Sequence, residues 1–182
     1  MEWLAHMQSL THELLHDLFG PHWHLEMEVV AEVALAMVLG GLIGLERESA
    51  NKPAGFRTHM LVAGAAALLV GLGDALLTRF DTETGVPIRA DPIRIVEAIV
   101  TGISFLGAGT IFRAGSRDTV QGLTTAAALL LSSAIGIAVA LRQFALAVSV
   151  TLLALLVLRV LKVIERWLLH RRRDGSDGPD AS

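Results

Sequence analysis

The chain has 182 residues, 53% of them hydrophobic and only 18% charged, with a mean hydropathy of +0.57 and a formal net charge of −3. A soluble domain of this length carries more charge and interleaves it more finely; here the apolar residues run in long blocks, which marks an integral membrane protein. The absence of cysteine excludes disulfides, zinc fingers and thiol chemistry, and the charges, confined to connections and the C-terminal tail, form no patch suited to nucleic acid.

Residues 1–28 contain "THELLHDLFG", in which His12, Glu13 and His16 spell H-E-x-x-H. Two histidines one helical turn apart can hold zinc while the glutamate activates a water. On a helical wheel, however, Trp3, Leu4, Met7, Leu10, Leu14, Leu15 and Leu18 form one face, opposite Glu2, His6, Glu13, His16 and Asp17, with His12 at the border. That pattern predicts an amphipathic helix lying along the extracytoplasmic membrane surface. A protease also needs a third ligand, a cleft and an oxyanion stabiliser, and the outer segments provide no scaffold for them. No catalytic residue is therefore assigned, and the chain is read as a non-enzyme. The alternative for His6, His12, His16, His22 and His24 is a loose metal- or pH-responsive patch. No cleaved signal peptide is expected, because a basic leader region and a small-residue cleavage site are both lacking.

Five stretches are long and apolar enough to cross a hydrocarbon core of about 30 Å. They are Val29–Leu45, Thr58–Leu77, Ile95–Phe112, Leu123–Leu141 and Phe144–Leu161. The expected fold is thus all-α: a polytopic bundle of about five transmembrane helices, spanning residues 29–166, preceded by the interfacial helix. "DPIRIVEAI" supplies Asp91 as N-cap and Pro92 as the first helical residue of the third span. Only "RQ" separates the fourth and fifth spans, which demands a tight helical hairpin. Residues 167–182 read as a basic, then disordered, cytoplasmic tail. An outside N-terminus puts eleven lysines and arginines inside and four outside, so the positive-inside rule predicts N-out, C-in.

The stretches "LGGLIGLERE", "KPAGFRTHML", "IVTGISFLGAGTIFR" and "VQGLTTAAALLLSSAIGIA", in that order, resemble the MgtC/SapB family of bacterial membrane proteins over roughly residues 32–141. The resemblance implies a non-enzymatic inner-membrane regulator linked to low-magnesium growth and survival inside phagocytes. It also implies action on other inner-membrane proteins, the proton-driven ATP synthase among them. Family members of the virulence type carry an ACT-like domain after the last helix, where this chain has a short basic tail. Glu32 and Glu97 stand where the family leads one to expect a basic residue and a glutamine.

With the N-terminus outside, all four motifs meet at the cytoplasmic mouth, where Glu46, Arg47, Glu48, Arg57, Thr58, Arg113, Gln121, Thr124 and Thr125 form a candidate functional site. Acids at a helix C-terminus oppose the dipole unless paired, and Arg57 is expected to bridge Glu46 and Glu48. Gly40, Gly44, Gly102, Gly107, Gly109 and Gly136 are candidate helix-packing positions, for the bundle itself or for a homo-oligomer. Near the outer ends lie Glu32, Asp74 and Glu97, whose carboxylates suit weak Mg²⁺ binding. The simpler reading of these three is snorkelling or pairing with Arg79 and Arg94. No other cofactor is expected. Membrane lipids and other membrane proteins are the expected partners, and a cation transporter or channel subunit for Mg²⁺ is the alternative function.

Overall fold

The computed structural model describes residues 23–84, 91–113 and 122–174 together with Trp3, His6, Met7 and Thr11; side chains are described for 26–77, 91–111 and 122–160 and for those four residues. Among the described residues the chain forms five long helices: α1 (Trp23–Ser49), α2 (Phe56–Thr84), α3 (Pro92–Arg113), α4 (Leu123–Ala140) and α5 (Phe144–Asp174). Four of them contain windows long and apolar enough to span a membrane, and Phe144–Val160 is a shorter apolar helix. The architecture is a multi-pass membrane helix bundle. Trp3 and Met7, on the apolar face of the expected interfacial helix, are helical and exposed. His12, Glu13 and His16 lie outside the described residues.

Local chemistry sets where the helices begin and end. The α1 terminus is a Schellman motif: Asn51 takes the left-handed conformation at φ 52°. There Asn51 N–H donates to the Glu48 carbonyl at 3.0 Å and Lys52 N–H to the Arg47 carbonyl at 3.0 Å. Pro53 follows and prevents continuation. At the start of α3 the Ile93 N–H donates to Asp91 Oδ1 at 3.0 Å, the cap expected from "DPI". Gly122, at φ 95°, begins α4 in a conformation that disfavours any side chain. The α4–α5 hairpin is a second Schellman motif, with Arg142 at φ 58° and Gln143 N–H donating to the Ala138 carbonyl at 2.9 Å.

The helices alternate in direction. Val29, Met37, Gly40 and Gly44 of α1 face Gly71, Gly64, Ala63 and Phe56 of α2 in that antiparallel order. Backbones approach closely where α1 meets α2 and where α4 meets α2. A Cβ on Gly40 would lie 2.6 Å from the His59 carbonyl oxygen, and one on Gly44 would lie 2.7 Å from Phe56 Cα. On α4, a Cβ at Gly136 would run into the Ala63 carbonyl of α2. The α1, α2 and α4 helices touch one another, α5 packs on α1 and α4, and α3 rests mainly on α4. The core is correspondingly small: Ala36, Leu39, Ile43, Ala63, Ala67, Ala128, Ile135, Val139, Ala147 and Ala154 form its largest cluster.

Gly107 meets Ala126, with 3.2 Å available to a Cβ. Gly102 and Gly109, expected to pack helices together, have nothing within 4 Å and lie on the outer face of α3. They pack against no other described residue. Gly44→Leu or Gly136→Leu should therefore destabilise the detergent-solubilised protein by about 3 kcal/mol or more through overpacking. Gly109→Leu should stay within about 0.5 kcal/mol. Thermal unfolding of the purified variants distinguishes the two outcomes.

Candidate functional site

At one end of the bundle α1 and α3 finish while α2 and α4 begin, so the motif residues assemble at a single mouth. The chemistry there is more buried than the sequence suggests. Glu46 and Arg47 are 7% and 4% exposed, and they pair with each other: Arg47 Nε donates to Glu46 Oε2 at 2.6 Å. Glu48 is exposed, but its Oε2 accepts the Phe56 N–H at 2.9 Å and so caps α2 from the neighbouring helix. The acid at the end of α1 is thereby turned into a favourable charge at the start of α2.

Arg57 does not bridge these acids. Its side chain is exposed on the first turn of α2, while Arg47 takes Glu46 and a backbone amide takes Glu48. The reason is register: Arg47 is one turn beyond Gly44 on the α1 face packed against α2, whereas Arg57 leaves α2 on the other side. Thr58 is half-buried, Thr124 exposed and Thr125 fully buried. The side chain of Arg113 and the whole of Gln121 lie outside the described residues.

Sequence reading missed His59, which is fully buried at the α1–α2 contact, its Nδ1 2.9 Å from the Gly55 carbonyl oxygen. The available signal was spacing: Gly55, His59 and Ala63 recur every four residues, a stripe that an approaching helix must bury. Ser132, Ser133 and Thr151 continue the buried polar set, each donating to a carbonyl of its own helix at 2.7–2.9 Å.

The opposite end holds a second ion-pair group. Arg142 bonds Glu28, and its Nε lies 3.1 Å from Glu32 Oε1. The hydrogen bond to Glu28 and the two negative charges push the guanidinium pKa further up, so this arginine stays charged. Glu28 and Glu32 are one turn apart on α1, which is why one side chain reaches both. Glu32 thus pairs with Arg142 rather than with Arg94, and forms no cluster with Asp74 and Glu97 among the described residues; the side chain of Arg79 lies outside them. The α1 and α3 helices do not touch. Among the described residues no group of three or more His, Cys, Asp or Glu side chains is arranged to hold a metal ion.

Burial decides what the mouth tolerates. Arg47→Ala leaves Glu46 charged and unpaired in a dry site, and should cost about 3–5 kcal/mol. Arg47→Met combined with Glu46→Leu should recover most of that loss, because removing both charges also removes their desolvation penalty. Arg57→Ala, at an exposed position, should change stability by less than about 0.5 kcal/mol. Unfolding of the four proteins in one detergent tests this ordering.

Comparison with known proteins agrees with the motif order. The chain is 36% identical over 159 residues to an uncharacterized protein of Haemophilus influenzae, covering 87% of this chain and 64% of the relative. It is 40% identical over 126 residues to protein MgtC of Salmonella typhimurium, covering 69% and 49%. It is 32% identical over 116 residues to protein SapB of Bacillus subtilis, covering 64% and 49%. The chain therefore spans about half to two thirds of the length of these relatives. No solved structure matches. A sequence profile described as the MgtC family matches residues 33–167, most of the chain and all five helices in part. The chain belongs to the MgtC family.

Proposed function

We propose that this protein is an inner-membrane regulator that acts by binding another membrane protein, in the setting of low-magnesium adaptation and intracellular survival that its family resemblance puts forward. The observation that carries this reading is the state of α3. It is the least apolar of the candidate spans and the least buried. Its outward side combines Ala98, Gly102 and Gly109 with the polar Glu97 and Thr101 and with Phe105, 85% exposed.

Lipid offers such a surface little. In a bilayer, helices associate through close van der Waals packing at small residues and through polar contacts, and both are available here. A carboxylate on a membrane-facing helix surface is costly unless it is paired or reaches the interface. Phe105 between two glycines forms a knob with a shallow hollow on either side, a shape suited to an incoming helix. The ATP synthase is the partner that the resemblance names. The mouth acids and arginines are the part of the chain that would answer such binding on the cytoplasmic side, given the N-out, C-in orientation expected from the charges.

A photo-crosslinking amino acid at Phe105 in native membranes should trap a discrete membrane protein, identifiable by mass spectrometry. The same probe at Leu152 of α5, 61% exposed, should react with lipid alone. Gly102→Leu should abolish the crosslink and growth in low magnesium while leaving protein levels unchanged. Equal lipid labelling at the two positions would defeat this reading. Reproducible Mg²⁺ flux from the purified protein in proteoliposomes would replace it with the transport alternative.

A further inference from the structure

The α5 helix outlasts the bundle. Ala140 and Phe144 flank the α4–α5 turn, so counting back along α4 and forward along α5 sets Leu161 level with Leu123, where α4 begins. The helix continues unbroken to Asp174, about 20 Å past that level at 1.5 Å per residue. Its uncharged part, from Phe144 to Leu158, rises roughly 22 Å, less than the ~30 Å of a hydrocarbon core. Arg159 therefore stands at the edge of the apolar layer rather than clear of it.

Charge changes abruptly at that point. From Arg159 to Asp174 the basic residues are Arg159, Lys162, Arg166, Arg171, Arg172 and Arg173, against Glu165 and Asp174, on a chain whose net charge is −3. Steps of three and four residues put Arg159, Lys162 and Arg166 on one side of the helix. Arg159 is exposed between Leu156 and Val160, 59% and 45% exposed, on a surface that meets lipid in a bilayer. Ion pairs among the described residues join Arg47 to Glu46 and Arg142 to Glu28 and Glu32, and Arg159 takes part in none of them.

A guanidinium in this position has a definite requirement. At the edge of the hydrocarbon, with no described carboxylate beside it, its charge is costly unless an anion comes to it. The anion found at that depth is lipid phosphate. An arginine stem can lie along acyl chains while its head reaches the headgroups, and its planar fork bonds two phosphate oxygens at once. Lys162 and Arg166 follow within the headgroup layer, which is roughly 5–7 Å deep on each side of the core. Three positive charges favour a lipid with net negative charge over a zwitterionic one, which brings its own cation. We propose that Arg159, Lys162 and Arg166 form a docking stripe for anionic phospholipid headgroups at the mouth end of α5. Arg171, Arg172 and Arg173 lie about 15 Å past Lys162, outside the headgroup layer, and contribute less. The α3 face plays no part in this, so the proposal stands independently of the binding reading.

Native mass spectrometry of the full chain in detergent, titrated with phosphatidylglycerol or phosphatidylcholine, tests this directly. Phosphatidylglycerol should bind about tenfold more tightly than phosphatidylcholine, and the preference should shrink as ionic strength rises. The triple variant Arg159→Gln, Lys162→Gln, Arg166→Gln should lower that ratio to about two. The triple variant Arg171→Gln, Arg172→Gln, Arg173→Gln removes the same charge and should keep the ratio within about twofold of the unsubstituted chain. Millimolar inorganic phosphate should leave the bound lipid in place, since it has no acyl chains to lie against α5. Equal affinity for the two lipids overturns the proposal. So does an equal loss in the two triple variants, which would make the attraction a matter of net charge alone. Displacement of the lipid by inorganic phosphate overturns it in favour of a free-anion site. If the stripe variant fails to fold, the single variant Arg166→Gln, beyond the apolar layer, decides: it should lower the ratio about threefold, and an unchanged ratio overturns the stripe.

Discussion

Backbone contact between α1 and α2 at Gly40 and Gly44 is the constraint from which most of this structure follows. In lipid there is no hydrophobic gain from moving an apolar side chain off the bilayer and onto a neighbouring helix, so association rests on how closely backbones approach. Glycine at these two positions lets α1 lie directly on the His59 carbonyl and on Phe56 Cα. The same approach buries His59 completely and brings the end of α1 over the start of α2. Glu48 then reaches the Phe56 amide, and Arg47 turns inward beside Glu46. Capping, pairing and burial at the mouth are consequences of one contact.

The two ends of the bundle handle charge differently. At the mouth, Glu46 and Arg47 are adjacent in sequence and buried, so their attraction is strong, but removing them from water is costly. At the other end, Arg142 is largely exposed and bonds two carboxylates one turn apart on α1. An exposed pair of this kind contributes little to stability in itself. Its value is positional. Arg142 sits in the left-handed region, which costs a residue with a side chain roughly 1–2 kcal/mol, and its two acids tether the hairpin to the beginning of α1. Both helix-ending motifs use a non-glycine residue in this conformation. At the mouth Asn51 does so readily, whereas Arg142 is held by long-range partners.

The α3 helix stands apart from this arrangement. Its N-terminus is well capped and its inner side packs on α2 and α4 through Ile95, Ile99, Ile103 and Gly107, while Gly102, Phe105 and Gly109 face outward. The α1, α2 and α4 helices form the centre of the bundle, with α3 and α5 packed on its flanks, which separates the labour within the fold. The core determines the geometry of the mouth, and the outlying helix offers a surface. The MgtC family relationship covers both parts.

Much of this was legible in the residues. Five apolar blocks gave the five helices because a bilayer requires continuous apolar length, and "DPI" and "RQ" placed a cap and a hairpin because those motifs depend only on neighbouring residues. The order of four short motifs identified the family, and their gathering at one end followed from alternating helix direction. What could not be read was which side of each helix finds a neighbour. Glycine at 40, 44, 102 and 109 looks alike in sequence, but only the first two meet another backbone. Arg47 and Arg57 both flank the same loop, and rotation about the helix axis put one inside and the other outside. Glu32 found its arginine 110 positions away at 142, beyond the reach of any local pattern. His59 became a buried group with a free nitrogen only through the approach of α1. Local sequence determines where a helix starts, stops and crosses a membrane. Packing angle and register, summed over contacts distant along the chain, decide which face is covered and which side chain is left without a partner.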